Sequence, residues 1–439
     1  MPLELSLIFG QVWQIIKVWW WVLIPFLFLK PFLYLWLWWR IDLWLKKHKF
    51  IILEIRLPKD VLKPIRAMEV VMASFHGAVY HPPDWWEKWI DGQIQTSISF
   101  EIVSIDGEPH FFIRFLPQYR DAIESAIFSQ YPDAEIKEVD DYAKRVPQDI
   151  PNKDWDMFGS DYKLNRDDHY PIKTYTRFET EREAKEEKRI DPVANLLEAF
   201  GQIKPGEQLW IQIGAEPMAE NPAETWKNKG EAMIEQIVRE APAKRLTKPA
   251  PKPIPQAAVE SLISGKPPEA LEGGEGPQAP ALIELTFTER ELIEAISTKI
   301  SKPIFKSRIR FIYLGKTGVW FKPNFRLALS FFNDYTIANL NALYPWGETF
   351  TKIHKSWFLP LNLIRPRRHY LRCRKLFRNY LLRVNPLFPR RGGDKGLFVL
   401  NIEELASLFH FPGREVAPAP FVPRVEAKKG EAPPGLPTE

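Results

Sequence analysis

The stretch KVWWWVLIPFLFLKPFLYLWLWWR, residues 17–40, constrains the fold of this chain more than any other feature. Val18 to Trp39 is 22 residues long and carries a single charge, at Lys30. An α-helix needs about 20 apolar residues to cross the hydrocarbon layer of a bilayer, so the length predicts one transmembrane span. Tryptophans stand near both ends of this segment, as they do at the two interfaces of a bilayer. They are Trp19, Trp20, Trp21, Trp36, Trp38 and Trp39.

The Lys30-Pro31 pair in the middle of the segment argues against a straight span. A lysine at the bilayer centre costs about 3 kcal/mol, and proline removes a backbone hydrogen-bond donor. A kinked span is the expected result, and an in-plane or re-entrant helix is the alternative. Four cations follow the segment closely, at Arg40, Lys46, Lys47 and Lys49, and the positive-inside rule then places the rest of the chain in the cytoplasm. The sequence therefore predicts a single-pass inner-membrane protein with an anchor at residues 1–45.

The residues after the anchor alternate between strand and helix patterns, which predicts an α+β fold. The most distinctive signal is a hairpin, in which Ser97–Ile105 and Phe111–Phe115 flank the turn residues Asp106-Gly107. A strand and a helix precede this hairpin, and a helix and a strand follow it. The order βαββαβ is that of a ferredoxin-like module, which we expect within residues 46–240 together with an extension.

Prolines separate this module from a second one. Nine of the 40 prolines lie in residues 241–281, which predicts an extended linker. Residues 282–413 repeat the order of strand, helix and strand, with a basic insertion at 349–393, so we expect a second ferredoxin-like module. Residues 414–439 have few apolar side chains and are predicted to be disordered.

The sequence offers no catalytic residues, cofactor site or metal site that we can defend, and we expect the protein not to be an enzyme. Gly315-Lys316-Thr317 lacks the first glycine of a phosphate-binding loop, since position 310 is Arg310, and is better explained as a turn. Asp167-Asp168-His169 has no recognisable nucleophile beside it and reads as a polar turn before Pro171.

The strongest local signal is positive charge. Residues 349–393 contain twelve Lys or Arg and no Asp or Glu. The pattern predicts a basic amphipathic helix from about Arg367 to Val384, with an apolar face that includes Cys373, Phe377 and Tyr380. The candidate binding residues are Arg365, Arg367, Arg368, Arg372, Arg374, Lys375, Arg378 and Arg383.

Three kinds of polyanion suit such a helix: lipid headgroups, the phosphates of a nucleic acid, or an acidic face of a partner protein. The arginine content favours phosphate, because the guanidinium group can bind it through two parallel hydrogen bonds. The plain alternative is that the charges only keep the outer face of the helix in solution.

Three segments carry a resemblance to a known group of proteins. They are DPVANLLEAFGQIKPGEQLWIQI at 191–213, FVLNIEELASLFHFPG at 398–413 and RVEAKKGEAPPGLP at 424–437. They resemble the N-terminal, non-ATPase region of HerA/FtsK-like coupling-type ATPases from conjugation or type IV secretion-like gene clusters. That region belongs to an uncharacterised membrane protein family, so no catalytic residue is implied.

The resemblance implies a membrane-anchored, non-catalytic platform or accessory subunit for a DNA-translocating ATPase. No Walker A sequence occurs in the chain, so the motor would be a separate polypeptide. The alternative is a membrane-proximal module that binds nucleic acid or anionic lipid through the basic helix.

Overall fold

The computed structural model describes residues 13, 17, 28–57, 63–178, 191–245, 285–355, 362–383 and 396–412. Helix α1 spans residues 28–47. The strands are β1 Ile51–Arg56, β2 Ile98–Ile105, β3 Glu108–Phe115, β4 Glu135–Val139, β5 Trp155–Leu164, β6 Glu207–Pro217, β7 Ile304–Lys316, β8 Leu343–Pro345 and β9 Phe398–Asn401. The other helices are α2 Ile65–Val79, α3 Arg120–Gln130, α4 Tyr175–Phe178, α5 Pro192–Phe200, α6 Glu220–Arg245, α7 Phe287–Ser301, α8 Phe325–Asn333, α9 Arg365–Leu382 and α10 Ile402–Leu408.

All nine strands form one antiparallel sheet, in the order β4-β1-β3-β2-β6-β7-β5-β8, with β9 pairing with the start of β7. The 13-residue strand β7 lies between β6 and β5, which come from the other side of the proline-rich region. The prediction of two separate ferredoxin-like modules is therefore wrong. The strands after the proline-rich region complete the sheet that the earlier strands begin.

One face of the sheet carries the larger apolar core. Alternate side chains of the central strands, such as Phe100, Ile211 and Phe311, are fully buried on this face. Helices α2, α3, α5, α8 and α10 cover them, because each presents an apolar stripe to the sheet. Helix α10, near the end of the described chain, packs against α2 near its start, so the two ends of the sequence share one core.

The opposite face is covered at one end by α9. Its apolar side chains pack on Trp210, Ile312 and Leu314, in a second core that includes Tyr142. Toward the starts of β2 and β7 the same face becomes polar. Glu101, Gln212, Arg310 and Asp161 are register partners on four consecutive strands and form one buried row.

The first six elements after α1 follow the predicted order, and the β2–β3 hairpin turns at Asp106-Gly107 as predicted. Residues 172–178 are a loop followed by the short helix α4. Helix α7 begins with a capping box, in which Thr286 and Glu289 each accept from the backbone N–H of the other.

None of the helices in the described ranges is both long enough and apolar enough to cross a membrane. The predicted transmembrane helix, and with it the single-pass inner-membrane location and cytoplasmic body, is overturned by this finding. Helix α1 continues beyond Trp39 into a charged segment and contains five charged residues, and Trp36 bonds to the folded body. Residues 18–27 of the predicted span, including Trp19, Trp20 and Trp21, lie outside the described residues.

The proline-rich linker at 241–281 also lies outside the described part, apart from its first five residues, which end α6. The tail at 414–439 lies outside it too, and so do residues 356–361 and 384–393 of the basic insertion.

Candidate functional site

Helix α9 forms the basic amphipathic helix that the sequence predicted, two residues earlier than expected. Pro366 lies in the first turn, where a missing N–H breaks no helical hydrogen bond. Cys373, Leu376, Phe377 and Tyr380 recur at helical spacing and are at most 2% exposed. This stripe is the face that α9 buries.

The buried face of α9 packs on the aromatic ring of Trp210. The Trp210 ring lies 5.2 Å from the ring of Tyr380 and 6.4 Å from that of Phe377, measured between centroids. Aromatic pairs at such distances add to the stability gained from burial alone. The contact fixes the rotation of α9 about its axis, so its charged residues face away from the sheet.

Three of the predicted arginines brace α9 against neighbouring loops. Arg365 donates to the carbonyl of Ile353 at 2.9 Å, Arg372 to that of Phe350 at 3.0 Å and Arg374 to that of Gln148 at 2.9 Å. Each is half-buried. A carbonyl acceptor leaves the positive charge of the guanidinium uncompensated, so these arginines still contribute to the field of the surface.

Four of the predicted cations are exposed on the outer face of α9: Arg367, Arg368, Lys375 and Arg378. Lys375 and Arg378, with Arg374, also border a groove of about 530 Å³ whose apolar lining includes Leu371 and Leu381. Cations beside exposed apolar groups suit a partner that is anionic and presents flat or apolar surface between its charges.

Arg383 departs from the expected surface position. Its side chain is fully buried, and its backbone takes the left-handed conformation (φ 52°) that ends α9. The guanidinium donates to Glu101 at 2.6 and 3.1 Å and to Asp141 at 2.7 and 2.9 Å. Arg383 therefore anchors the helix, and no external ligand can reach it in this conformation.

Further hydrogen bonds complete this buried anchor. The carboxylate of Glu101 also accepts from Ser99 at 2.7 Å, Gln212 at 3.0 Å and the Tyr142 hydroxyl at 2.7 Å. The Tyr142 and Tyr380 hydroxyls lie 2.5 Å apart, and burial raises the pKa of both. With this many donors, the buried carboxylate is satisfied, which is what a structural network requires.

Asp141 and Glu101 could not be identified from the sequence as partners of the basic helix. They lie 242 and 282 residues away from Arg383 along the chain. Glu101 occupies a polar position of the alternating pattern of β2, which by itself indicates a solvent-facing side chain, whereas the structure buries it. A charged residue at a buried position needs a partner of opposite charge, and the sequence does not show which one.

The predicted anchor tryptophans that the structure describes lie on α1. The Trp36 indole donates to the carbonyl of Trp89 at 2.9 Å, whereas Trp38 and Trp39 are about half exposed. Trp36 therefore joins α1 to the folded body.

One group within the described ranges resembles a metal site: Asp167, Asp168 and His169. The His169 Nε2 donates to the Trp226 carbonyl at 2.8 Å, and its Nδ1 lies 2.5 Å from an Asp167 oxygen. Both ring nitrogens therefore lie within hydrogen-bond distance of oxygen atoms of the protein. Asp168 accepts from Trp226 and from the backbone of Val399, so the group ties α6 to β9.

Gly315-Lys316-Thr317 lies where β7 ends and a turn begins, as predicted. The backbone N–H of Lys316 donates to the carbonyl of Gly206 at 2.9 Å, and that of Thr317 donates to Asp154 at 2.8 Å. These N–H groups are used within the fold and cannot cradle a phosphate.

The two described segments that carry the family resemblance meet in the core. Residues 191–213 contain α5 and β6, and 398–412 contain β9 and α10. Asp191 caps α5 by accepting from Val193, and its side chain lies 2.8 Å from the Nε2 of His410. Their distinctive sequences therefore reflect a shared structural role. The third segment lies outside the described residues.

Comparisons with known proteins do not assign the chain to a family: no protein-family model matches it, and no curated protein matches it either.

Proposed function

We propose that this protein is a non-catalytic accessory subunit that binds nucleic acid beside a separate DNA-translocating, type IV secretion-like ATPase. The contact surface is the outward face of α9, defined by Arg367, Arg368, Lys375 and Arg378. Arg365, Arg372 and Arg374 contribute charge from its edges.

The observation that carries this proposal is the division of α9 into two faces. Its apolar stripe is fully used in the core, and its last turn is held by the buried ion pair of Arg383 with Glu101. The cations of the outer face are therefore presented by a rigid element, and little conformational entropy is lost when they bind a regular array of phosphates. A purely solubilising surface needs no such anchor.

The sequence resemblance supports the context of the proposal. Coupling-type ATPases move DNA, and a subunit at their entrance benefits from a surface that holds the phosphate backbone without reading its sequence. Two of the segments that carry the resemblance contain α5 and α10, which meet in the core. The resemblance therefore extends to the folded body on which α9 packs.

Salt dependence of DNA binding tests the contact surface. We would measure the anisotropy of a fluorescent 30-base-pair duplex against KCl concentration for the wild type and for R367Q/R368Q/R378Q. Each phosphate contact contributes about 0.9 to the slope of log K against log salt. If each arginine engages one phosphate, the slope should therefore flatten by about 2.7 in the triple variant.

The matched control is K137Q/K163Q/R239Q, which removes three exposed cations outside α9 and changes the net charge equally. Its slope should stay within error of the wild type. Equal slopes in all three proteins would refute the assignment to α9.

The motor partnership needs a second experiment. The proposal predicts that a motor ATPase encoded beside this gene co-purifies with the full chain, and that adding DNA increases its recovery. We would compare the full chain with one ending at residue 413, because the removed tail includes the third segment of the resemblance, at 424–437, and is a second candidate contact with the motor. Failure to recover the motor with either chain, under conditions where DNA binds, would remove the accessory role and leave the DNA contact.

A further inference from the structure

Two tryptophan-rich segments, far apart in sequence, meet at one corner of the molecule. Helix α1 contacts the π-helical turn Glu87–Asp91, which follows Trp85 and Trp86. Trp36 stacks near Phe32 at 6.4 Å and meets Trp39 edge-on at 5.5 Å, while Trp85 lies 6.2 Å from Trp86. We call the exposed rings of Trp38, Trp39, Trp85 and Trp86 the tryptophan patch.

The junction that carries the tryptophan patch is tightly packed. Gly92 ends the π-helical turn with φ 73°, and a Cβ at this position would lie 2.3 Å from the carbonyl oxygen of Arg40. Only glycine fits this approach, so the backbone of α1 lies directly against the turn. The indole of Trp36 adds a hydrogen bond to Trp89 across the same contact. The surrounding rings are thus presented by a fixed scaffold.

The rings themselves remain open to solvent. Trp85 and Trp86 are 65% and 59% exposed, and Trp38 and Trp39 are 49% and 47% exposed. On α1 the exposure continues around the helix, since consecutive apolar residues are exposed. These are Phe28, Leu29, Phe32, Leu33, Tyr34 and Leu35. Contiguous exposed apolar surface of this kind marks an interaction site.

The pattern of exposure decides what covers the patch. A groove on a partner protein or a second copy would cover one side of a helix, whereas the exposed apolar residues of α1 between 28 and 35 point in several directions around the helix, and Lys30 is the one charged residue among them. A lipid environment can surround it. Tryptophan concentrates at the boundary between headgroups and acyl chains, where its ring is buried and its N–H stays near water. Lys46 and Lys47 in the last turn of α1, and Lys49 just after it, are exposed and match anionic headgroups in charge.

We propose that the tryptophan patch, with the apolar part of α1, docks the protein onto the interface of an anionic phospholipid bilayer. The side chains insert among the headgroups and upper acyl chains, and no residue needs to cross the bilayer. Lys46, Lys47 and Lys49 remain in the headgroup layer. This surface is separate from the outward face of α9 and does not depend on DNA binding.

Vesicle flotation tests the proposal. We would use the purified full chain with vesicles of phosphatidylcholine alone or with 30% phosphatidylglycerol added, and compare the wild type with W85S/W86S. The partition coefficient should fall by at least about tenfold in the variant, which is the fold-change of losing the burial of one large aromatic side chain. The wild type should bind the anionic vesicles more tightly than the neutral ones.

The control variant is F287S/V319S, which replaces two exposed apolar side chains elsewhere on the surface and should float as the wild type does. An unchanged circular dichroism spectrum and an unchanged urea midpoint would show that W85S/W86S is folded. Unchanged flotation of folded W85S/W86S, or a wild type that binds neither vesicle, would overturn the proposal. So would a W85S/W86S variant that changes only the oligomeric state, since that result would identify a second copy as the occupant.

Discussion

Replacing Arg383 by methionine should destabilise the protein strongly, because it removes the cation that forms an ion pair with the buried Glu101 carboxylate. The side chains of both residues are 0% exposed, and four hydrogen bonds from the guanidinium are lost. Breaking a buried ion pair from one side costs about 3–5 kcal/mol. Ser99, Gln212 and Tyr142 still donate to Glu101, so we expect a value near the lower limit, about 3 kcal/mol.

Urea unfolding followed by circular dichroism measures this cost, provided that the slope of the transition is unchanged. The double variant E101Q/R383M should recover at least about 1 kcal/mol relative to R383M, because a neutral amide is cheaper to leave buried than a charged carboxylate. Amide hydrogen exchange should accelerate in the last turn of α9 in R383M. A loss below about 1 kcal/mol, or no recovery in the double variant, would refute the anchoring role of Arg383.

Three further predictions concern other contacts. Burial raises the pKa of Asp141, but its guanidinium partner outweighs burial and holds the pKa below the ordinary 3.8. The stability that ionised Asp141 contributes is therefore complete above pH 3.8 and is lost as the pH falls through the pKa of the folded state. The urea midpoint of D141N should accordingly fall less at acidic pH than that of the wild type. E404Q should cost about 3–5 kcal/mol in urea unfolding, since Lys299 is fully buried beside it, and K299M/E404Q should restore at least half of the loss. G92A should add about 1–3 kcal/mol of local strain against Arg40 and increase protease cleavage of α1, and equal cleavage rates would contradict the packing.

The elements that the sequence predicted well are those whose signals are local. The β2–β3 hairpin carries both the alternation and the turn residues, so its register follows from a dozen neighbouring residues. Helix α9 has an apolar stripe at helical spacing, and its bounds were predicted within two residues.

The elements that the sequence hid depend on contacts between distant residues. Strand β5 contains Ser160 and Asp161 at buried positions on opposite faces of the sheet, so it lacks an apolar alternation. The buried Asp161 is tolerated because Arg310 of β7 donates to it at 2.6 Å. The same pairing merges the two predicted modules into one sheet. The buried position of Arg383 was missed because its partners belong to remote segments, while its neighbours on α9 are exposed. No local pattern separates an anchoring arginine from a binding one.

The central claim is that the outward face of α9 holds nucleic-acid phosphates. The most direct measurement is the difference in salt slope between R367Q/R368Q/R378Q and K137Q/K163Q/R239Q on the same duplex. The account predicts that the slope of the α9 variant is shallower by about 2.7 while the control keeps the wild-type slope. A control variant that loses as much slope as the α9 variant would show that binding follows net charge alone, and the claim would fall.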